Sequence, residues 1–291
     1  MKKCFIVVNT EKEKSTSLAA DISAWLEKKG CDCSQFHFNG FCKKNPLKGS
    51  DFVITLGGDG TVLFAARCAS KYDIPVFPVN LGEFGFIAGV QPESWKKCLT
   101  EFLKGKAPVA KRSLVAAEVL RDKEILYTCT GLNDIVISAK EAVKTISLVV
   151  SYNNQKLTQL KSDGVIISTP TGSTGYSSSA GGPIIDPDLD ALLFTPKNAF
   201  SLSARPIVLN PEGEIQVLVR EGRTKEIVLT ADGQKIADLK AGDLVKIRRN
   251  PDTAKLVYCT SENFYKALLS KRNWSGGPNA CRFISKRFCP P

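Results

Sequence analysis

The chain has 291 residues, of which 43% are hydrophobic and 24% charged. That length and balance fit about two domains of ~150 residues and exclude a disordered, fibrous or metal-stapled miniature protein. The formal charge is +11, but Lys271, Arg272, Arg282, Lys286 and Arg287 stand together near the end without an Asp or Glu, leaving +6 for the rest; charge alone gives no nucleic-acid groove, and no nucleic-acid partner is expected.

In chain order, residues 5–8 are an apolar run, shorter than the ~7 residues of a signal-peptide core, and are read as a first strand. Across residues 15–29, Leu18, Ile22, Trp25 and Leu26 recur at helical spacing after a Ser/Thr cap cluster, with Gly30 as the stop and Trp25 as a core anchor. A surface strand holds His37. Residues 52–56 form a short apolar strand, 61–69 a helix, and 74–81 a strand broken by Pro75 and Pro78. A helix over 92–103 places Trp95, Leu99, Phe102 and Leu103 on one face, with Pro92 in its first turn and Gly105 past its end. This alternation predicts a doubly wound α/β domain over residues 1–106.

From residue 107 the pattern changes to short β-rich segments at 114–120, 125–130, 135–138, 146–152, 165–169, 214–219, 226–231, 244–248 and 256–260. They predict a β-sandwich-like domain over 107–260. A final helix over 263–270 is followed by a basic tail, 275–291, expected to be poorly ordered.

Ten cysteines without a secretory leader point to a reducing, cytoplasmic setting and no disulfides. Cys31/Cys33 and Cys281/Cys289 lack zinc-site spacing, so no Cys/His metal site is expected. His37 is the only histidine. Histidine-based triads would have to rest on it alone, and a general base is therefore expected to be a carboxylate. No run approaches the ~18 apolar residues of a membrane span, so no membrane partner is expected.

The sharpest motif is Gly57-Gly58-Asp59-Gly60-Thr61, where a strand ends and a helix begins. Glycines admit anionic oxygens to backbone amides, and a helix N-terminus favours negative charge. A carboxylate inside such a loop would repel bound anions unless it accepts a proton or binds a metal; the structural alternative is Asp59 as a helix cap. Asn80-Leu81-Gly82-Glu83-Phe84-Gly85-Phe86 is either an irregular turn needing positive φ at its glycines or a ligand-facing loop. The stretch from Ser162-Asp163-Gly164 through Thr169-Pro170-Thr171-Gly172-Ser173-Thr174-Gly175-Tyr176-Ser177-Ser178-Ser179 to Gly181-Gly182-Pro183 offers hydroxyls and amides for ribose and phosphate oxygens, and Tyr176 for stacking on a flat ring. Asn133-Asp134 opens a strand, and Asp232-Gly233 reads as a two-residue hairpin turn.

Taken in order, these elements resemble the NAD kinase family. Gly57 to Thr61, Leu81 to Phe86, Asp163 to Pro183, Arg205-Pro206 and Asp232-Gly233-Gln234 match the family's motifs, and the likeness spans roughly residues 1–274. The resemblance implies an N-terminal α/β domain, a β-rich C-terminal domain, and a return of residues 261–274 to the first domain. It implies transfer of the γ-phosphate of ATP, or of phosphate from polyphosphate, to the 2′-hydroxyl of the adenosine ribose of NAD, with Mg²⁺ or another divalent cation. Carried over by position, Asp59 is the proton acceptor, with Gly60 and Phe64 near the dinucleotide. Asn133, Asp134, Lys144, Lys161, Asp163, Thr174, Gly175, Tyr176, Ser177, Ser178, Ser179 and Gln234 line the NAD site. Part of that site comes from a neighbouring subunit in the family, which implies a homodimer or homotetramer.

Three positions depart from the family pattern: Asp134 for Glu, Gly175 for Ala, and Ala199-Phe200 for Pro-His. Lipid and sugar kinases carry similar Gly-Gly-Asp-Gly loops but lack a block like Thr169 to Gly182. A non-catalytic nucleotide sensor is the alternative from another class.

Overall fold

The computed structural model describes residues 1–40, 46–82, 85–141 and 144–272, the last two as backbone only. The chain divides into two compact units, residues 1–110 with the described residues from 255 onward, and residues 111–254. The expected domain changes at 106/107 and 260/261 lie a few residues from these points. The tail expected at 275–291 lies outside the described residues.

The first unit alternates β1 (Lys2–Asn9), α1 (Ser15–Glu27), β2 (Cys31–Phe38), β3 (Phe52–Gly57), α2 (Asp59–Ser70) and β4 (Pro75–Asn80). A 3₁₀ turn at Pro92–Ser94 then leads into α3 (Trp95–Leu103). The strands are parallel in the order β2-β1-β3-β4. β3 is buried along its whole length, as a strand covered on both faces must be. On one face Cys4, Ile6 and Val8 share a core with Ile22 and Leu26 of α1 and Leu99 of α3. On the other, Phe5 stacks on Phe36, and Phe36 and Phe38 stack on Phe64 of α2. Helices on both faces make the unit doubly wound, each buried apolar side chain contributing roughly 1.5–3 kcal/mol.

Trp25 meets Trp95 edge to face at 5.5 Å, the anchoring role expected of it. The Ser/Thr cluster does not cap α1: Lys14 holds the cap position without a side-chain bond, and the Ser15 hydroxyl instead donates to the Asn9 carbonyl. β4 runs unbroken through Pro75 and Pro78.

The second unit is built of antiparallel strands, with β5 (Val109–Arg121) and β16 (Leu244–Val257) crossing its limits. Between them come β6 (Glu124–Gly131), β7 (Asp134–Ala139), β8 (Ile146–Tyr152), β9 (Gln155–Ser162) and β10 (Gly164–Ser168). A 3₁₀ turn at Thr171–Thr174 precedes a single helical turn, α4 (Tyr176–Ser179). β11 (Leu192–Lys197), β12 (Ile207–Leu209), β13 (Ile215–Arg220), β14 (Ile227–Ala231) and β15 (Gln234–Leu239) complete it.

One sheet has the order β12-β11-β10-β7-β14-β15. The other joins β9, β8, β13 and the start of β16, with the β5–β6 hairpin also on β16. Alternate residues of both, among them Ile135, Ile137, Val165, Ile167 and Leu229 from the first and Leu148, Val150, Val217 and Val245 from the second, fill one core. This is the sandwich predicted from the strand pattern. The segments 244–248 and 256–260, expected as two strands, belong largely to the one strand β16, and β9, β11 and β12 were not anticipated.

α5 (Ser261–Arg272) belongs to the first unit, burying Phe264 and Ala267, with Phe264 against Phe86 at 5.8 Å. No helix among the described residues is long and apolar enough to cross a membrane.

Candidate active site

In the first unit the motif Gly57 to Thr61 sits where β3 gives way to α2, as expected, but Asp59 is not the helix cap. Gly58 holds the cap position and Asp59 is the first helical residue. Its carboxylate reaches across to the segment after β4 and accepts three consecutive backbone N–H groups, from Phe86 (2.9 Å), Ile87 (3.4 Å) and Ala88 (3.1 Å). Charge-assisted bonds from one rigid segment fix the direction of the carboxylate.

Gly85 owes its identity to this approach, because a Cβ there would stand 2.9 Å from Asp59 Cγ. The positive φ considered for Gly82 and Gly85 is not present; close packing on the carboxylate is the reason for the second of them. Glu83 and Phe84 lie outside the described residues. Gly58 and Gly60 face open space, with nothing within 4 Å of a Cβ built on either. The first turn of α2 thus presents an uncovered backbone beside a half-buried carboxylate. Phe64, expected near the dinucleotide, is buried at 3% exposure and stacks 4.4 Å from Phe38; it builds the core beneath α2 instead of an open wall.

In the second unit a matching arrangement surrounds Asn133 and Asp134. Asp232 and Gly233 take φ values of +47° and +75°, the left-handed pair of a two-residue hairpin turn between β14 and β15. That turn presents the Asp232 carboxylate to the N–H groups of Leu132 (2.9 Å), Asn133 (2.7 Å) and Asp134 (3.1 Å). Gly131 is required beside it, since a Cβ would stand 2.6 Å from the Asp134 carbonyl and 3.0 Å from Asp232 Oδ1. Thr169 closes the far side by donating its hydroxyl to the Leu132 carbonyl (2.6 Å) and accepting the Gly172 N–H (3.1 Å).

Asp134 is 5% exposed. Burial, with the charge of Asp232 as a smaller second cause, pushes its carboxyl up to about 7. Gln234 follows the turn at the start of β15. Asp232 and Thr169 were not among the expected site residues. The Asp-Gly dipeptide signalled the turn, but its carboxylate's target lies about a hundred residues earlier in the chain.

The hydroxyl-rich block lies between the two ends of the six-stranded sheet. Gly172 packs on Asn133, where a Cβ would fall 2.7 Å from its Cα. At Gly175 a Cβ would meet the Gly172 carbonyl at 3.2 Å and Asn133 Nδ2 at 3.5 Å, so the alanine usual in the family would fit with a small adjustment. The Thr174 hydroxyl donates to the Thr171 carbonyl (3.3 Å). Ser177 is fully buried with its hydroxyl on Thr195 (2.8 Å), and therefore supports α4 instead of lining an open surface. Ser178 is half-buried and Ser179 exposed. Tyr176 is exposed, with the Lys197 ammonium 5.3 Å from its ring centre.

The remaining expected residues gather at the other end of the same sheet. Asp163 accepts the Asn198 side-chain amide at 2.8 Å, Lys161 is exposed with its carbonyl accepting the Phe200 N–H, and Lys144 pairs with Glu141 at 3.1 Å. Asp163 and Thr169 bracket β10, which at ~3.3 Å per residue separates the two groups by about 20 Å.

An α/β unit whose strand runs into a glycine loop and a fixed carboxylate, continued by a β-sandwich bearing polar loops at its ends, is the architecture of a two-domain nucleotide-dependent phosphotransferase. The comparisons narrow this class. Residues 40–107 match the ATP-NAD kinase N-terminal domain and residues 132–259 the ATP-NAD kinase C-terminal domain. The NAD kinase of Treponema denticola is 42% identical over 277 residues, covering 95% of this chain and 98% of that protein. The NAD kinase of Geobacter metallireducens is 34% identical, with 94% and 99% covered. The fold matches yeast NADH kinase in complex with NADH (TM-score 0.80, 21% identity, 95% and 89% covered) and an Archaeoglobus fulgidus NAD kinase in complex with ATP (0.76, 24%, 94% and 99%). The chain belongs to the NAD kinase family.

Proposed function

We propose that this chain phosphorylates the 2′-hydroxyl of the adenosine ribose of NAD with ATP as donor, forming NADP, and that Asp59 is its general base. Family membership supplies the reaction, and the fixing of Asp59 by three backbone N–H groups carries the assignment of the base. Phosphoryl transfer asks the protein mainly to align the acceptor oxygen with the γ-phosphate and to remove one proton. A carboxylate held in one direction at the head of α2 does both for a hydroxyl placed against it. The open glycines at the same turn leave room for phosphate oxygens. Asn133, Asp134 and Gln234 would bind the sugar and amide groups of the dinucleotide, and Tyr176 would stack on a ring.

The described residues include no group of three His, Cys, Asp or Glu side chains placed to hold a metal. A divalent cation, Mg²⁺ by preference, would therefore arrive on the triphosphate, where it spreads the charge that develops during transfer.

The two ends of the six-stranded sheet hold expected dinucleotide contacts too far apart for one compact site. A site combining one end from each of two copies accounts for both, and supports a homodimer or homotetramer. Phe200 and Leu202, exposed at 80% and 88% beside the Asp163 end, suit such a contact. A cytoplasmic setting is consistent with the reduced thiols of Cys4, Cys31, Cys33 and Cys98.

The test is NADP formation by purified protein from NAD, ATP and Mg²⁺, read with an NADP-specific dehydrogenase. Turnover is expected. A folded protein that forms no NADP with ATP or polyphosphate would overturn the reading.

A further inference from the structure

The sandwich end at which β13 hands over to β14 carries a cleft that the proposed reaction does not use. Its volume is about 560 Å³, within the range of small-molecule sites. Arg220 ends β13, Glu221, Thr224 and Lys225 lie on the connecting segment, buried Ile227 opens β14, and Lys240 follows β15. A smaller hollow of about 310 Å³, lined also by Lys144, adjoins it and shares Thr224 and Lys225.

Among the described residues Arg220, Lys225 and Lys240 form no ion pair, whereas Arg121, Arg248, Arg249, Lys235 and Lys255 all do. The nearest buried acid, Asp243, feels the Lys240 charge but does not pair with its ammonium. Asp243 is occupied by the Arg121 guanidinium at 2.7 and 2.8 Å and by the Lys240 backbone N–H at 2.8 Å. The cleft therefore sets three cations that form no ion pair among the described residues against the one carboxylate of Glu221. Two hydroxyls are at hand, Thr224 on the wall and Ser147, whose Oγ is 3.6 Å from a Cβ built on Gly222.

We propose that this cleft is a second anion site that takes a pyrophosphate group, either free or carried by a nucleotide. An arginine fork matches adjacent phosphate oxygens in pairs, lysines neutralise them as point charges, and hydroxyls donate to the remainder. Ile227 gives an apolar floor for the body of a nucleotide.

The experiment is hydrogen-exchange mass spectrometry on the full chain, titrated separately with inorganic pyrophosphate and with ADP. Both probes are expected to protect the backbone of 220–227 and 239–242, less so as salt is raised. Arg220→Gln/Lys225→Gln/Lys240→Gln is expected to weaken that protection by about tenfold per cation removed. Should the triple variant fail to fold, Lys240→Gln alone is expected to show the single tenfold step. Equal affinities identify free pyrophosphate as the source and tighter ADP binding identifies a nucleotide; either supports the site. Protection confined to other segments, protection by ADP without any by pyrophosphate, or protection that survives the folded variant would overturn it.

Discussion

Two aspartates in this chain do the same thing with their oxygens and differ in everything around them. Asp59 and Asp232 each accept three consecutive backbone N–H groups, and each stands against a glycine that leaves no room for a side chain. Asp59 does so from the first turn of a helix, next to two glycines that face open space. Asp232 does so from a left-handed turn position, next to a second, buried carboxyl. The first arrangement leaves one acidic group oriented beside an unfilled surface, which suits a reacting base. The second spends its carboxylate on shaping a loop and raises the proton affinity of its neighbour, which suits a binding wall.

Substitutions at the two positions should therefore separate catalysis from architecture. Asp59→Asn is expected to lower kcat by about 10²–10⁴, the usual worth of a positioned base, with NAD binding close to wild type and a stability loss of about 1–3 kcal/mol, because an amide can accept the N–H groups of residues 86–88 at one oxygen only. Steady-state kinetics beside a denaturation curve check this, and unimpaired turnover would remove Asp59 from the chemistry. Asp232→Ala is expected to act the other way. It strips the charge-assisted bonds from residues 132–134 and puts alanine at positive φ, a loss of about 3–5 kcal/mol in unfolding free energy, with NAD affinity falling before kcat does.

The smallest expected effect is the pH dependence set by Asp134. Its carboxyl is raised in the folded chain to about 7, so the folded state holds this proton more tightly than the unfolded chain. Its contribution to stability is complete below about pH 4 and is lost as pH climbs through 7, by roughly 1–4 kcal/mol. Asp134→Asn removes that loss, and urea unfolding should show the variant gaining on wild type between about pH 5 and 8. A constant difference across that range would refute the buried titration.

Much of the fold could be read from local pattern, and the exceptions share a cause. β3 announced itself as a continuous apolar run, and α1 by helical spacing around Trp25. β9, Gln155–Ser162, is mostly exposed and polar, so it carries no apolar alternation to detect. β11 contains Pro196 and β12 has three residues. β16 continues through Asn250-Pro251-Asp252, a turn signal by composition that the sheet overrides.

The Gly57 to Thr61 loop was legible because strand, glycines and helix are adjacent in sequence. What Asp59 binds was not, since its partners lie 27 to 29 residues away, and the Asp232 clamp spans about a hundred. Ser177 and Phe64 were placed in the site by motif position, but burial assigns them to the framework. Position in a motif fixes where a residue stands along the backbone and not which way its side chain turns.

The long strand β16 has a consequence for how the protein is made. Lys255 and Leu256 supply the neighbour of β4 in the parallel sheet, yet every other strand of both units precedes them in the chain. The α/β segment therefore stays without this outer strand, and without α5 to cover Phe86, until nearly the whole chain has been made. The loop that carries Asp59 thus reaches its finished surroundings only near the end of synthesis.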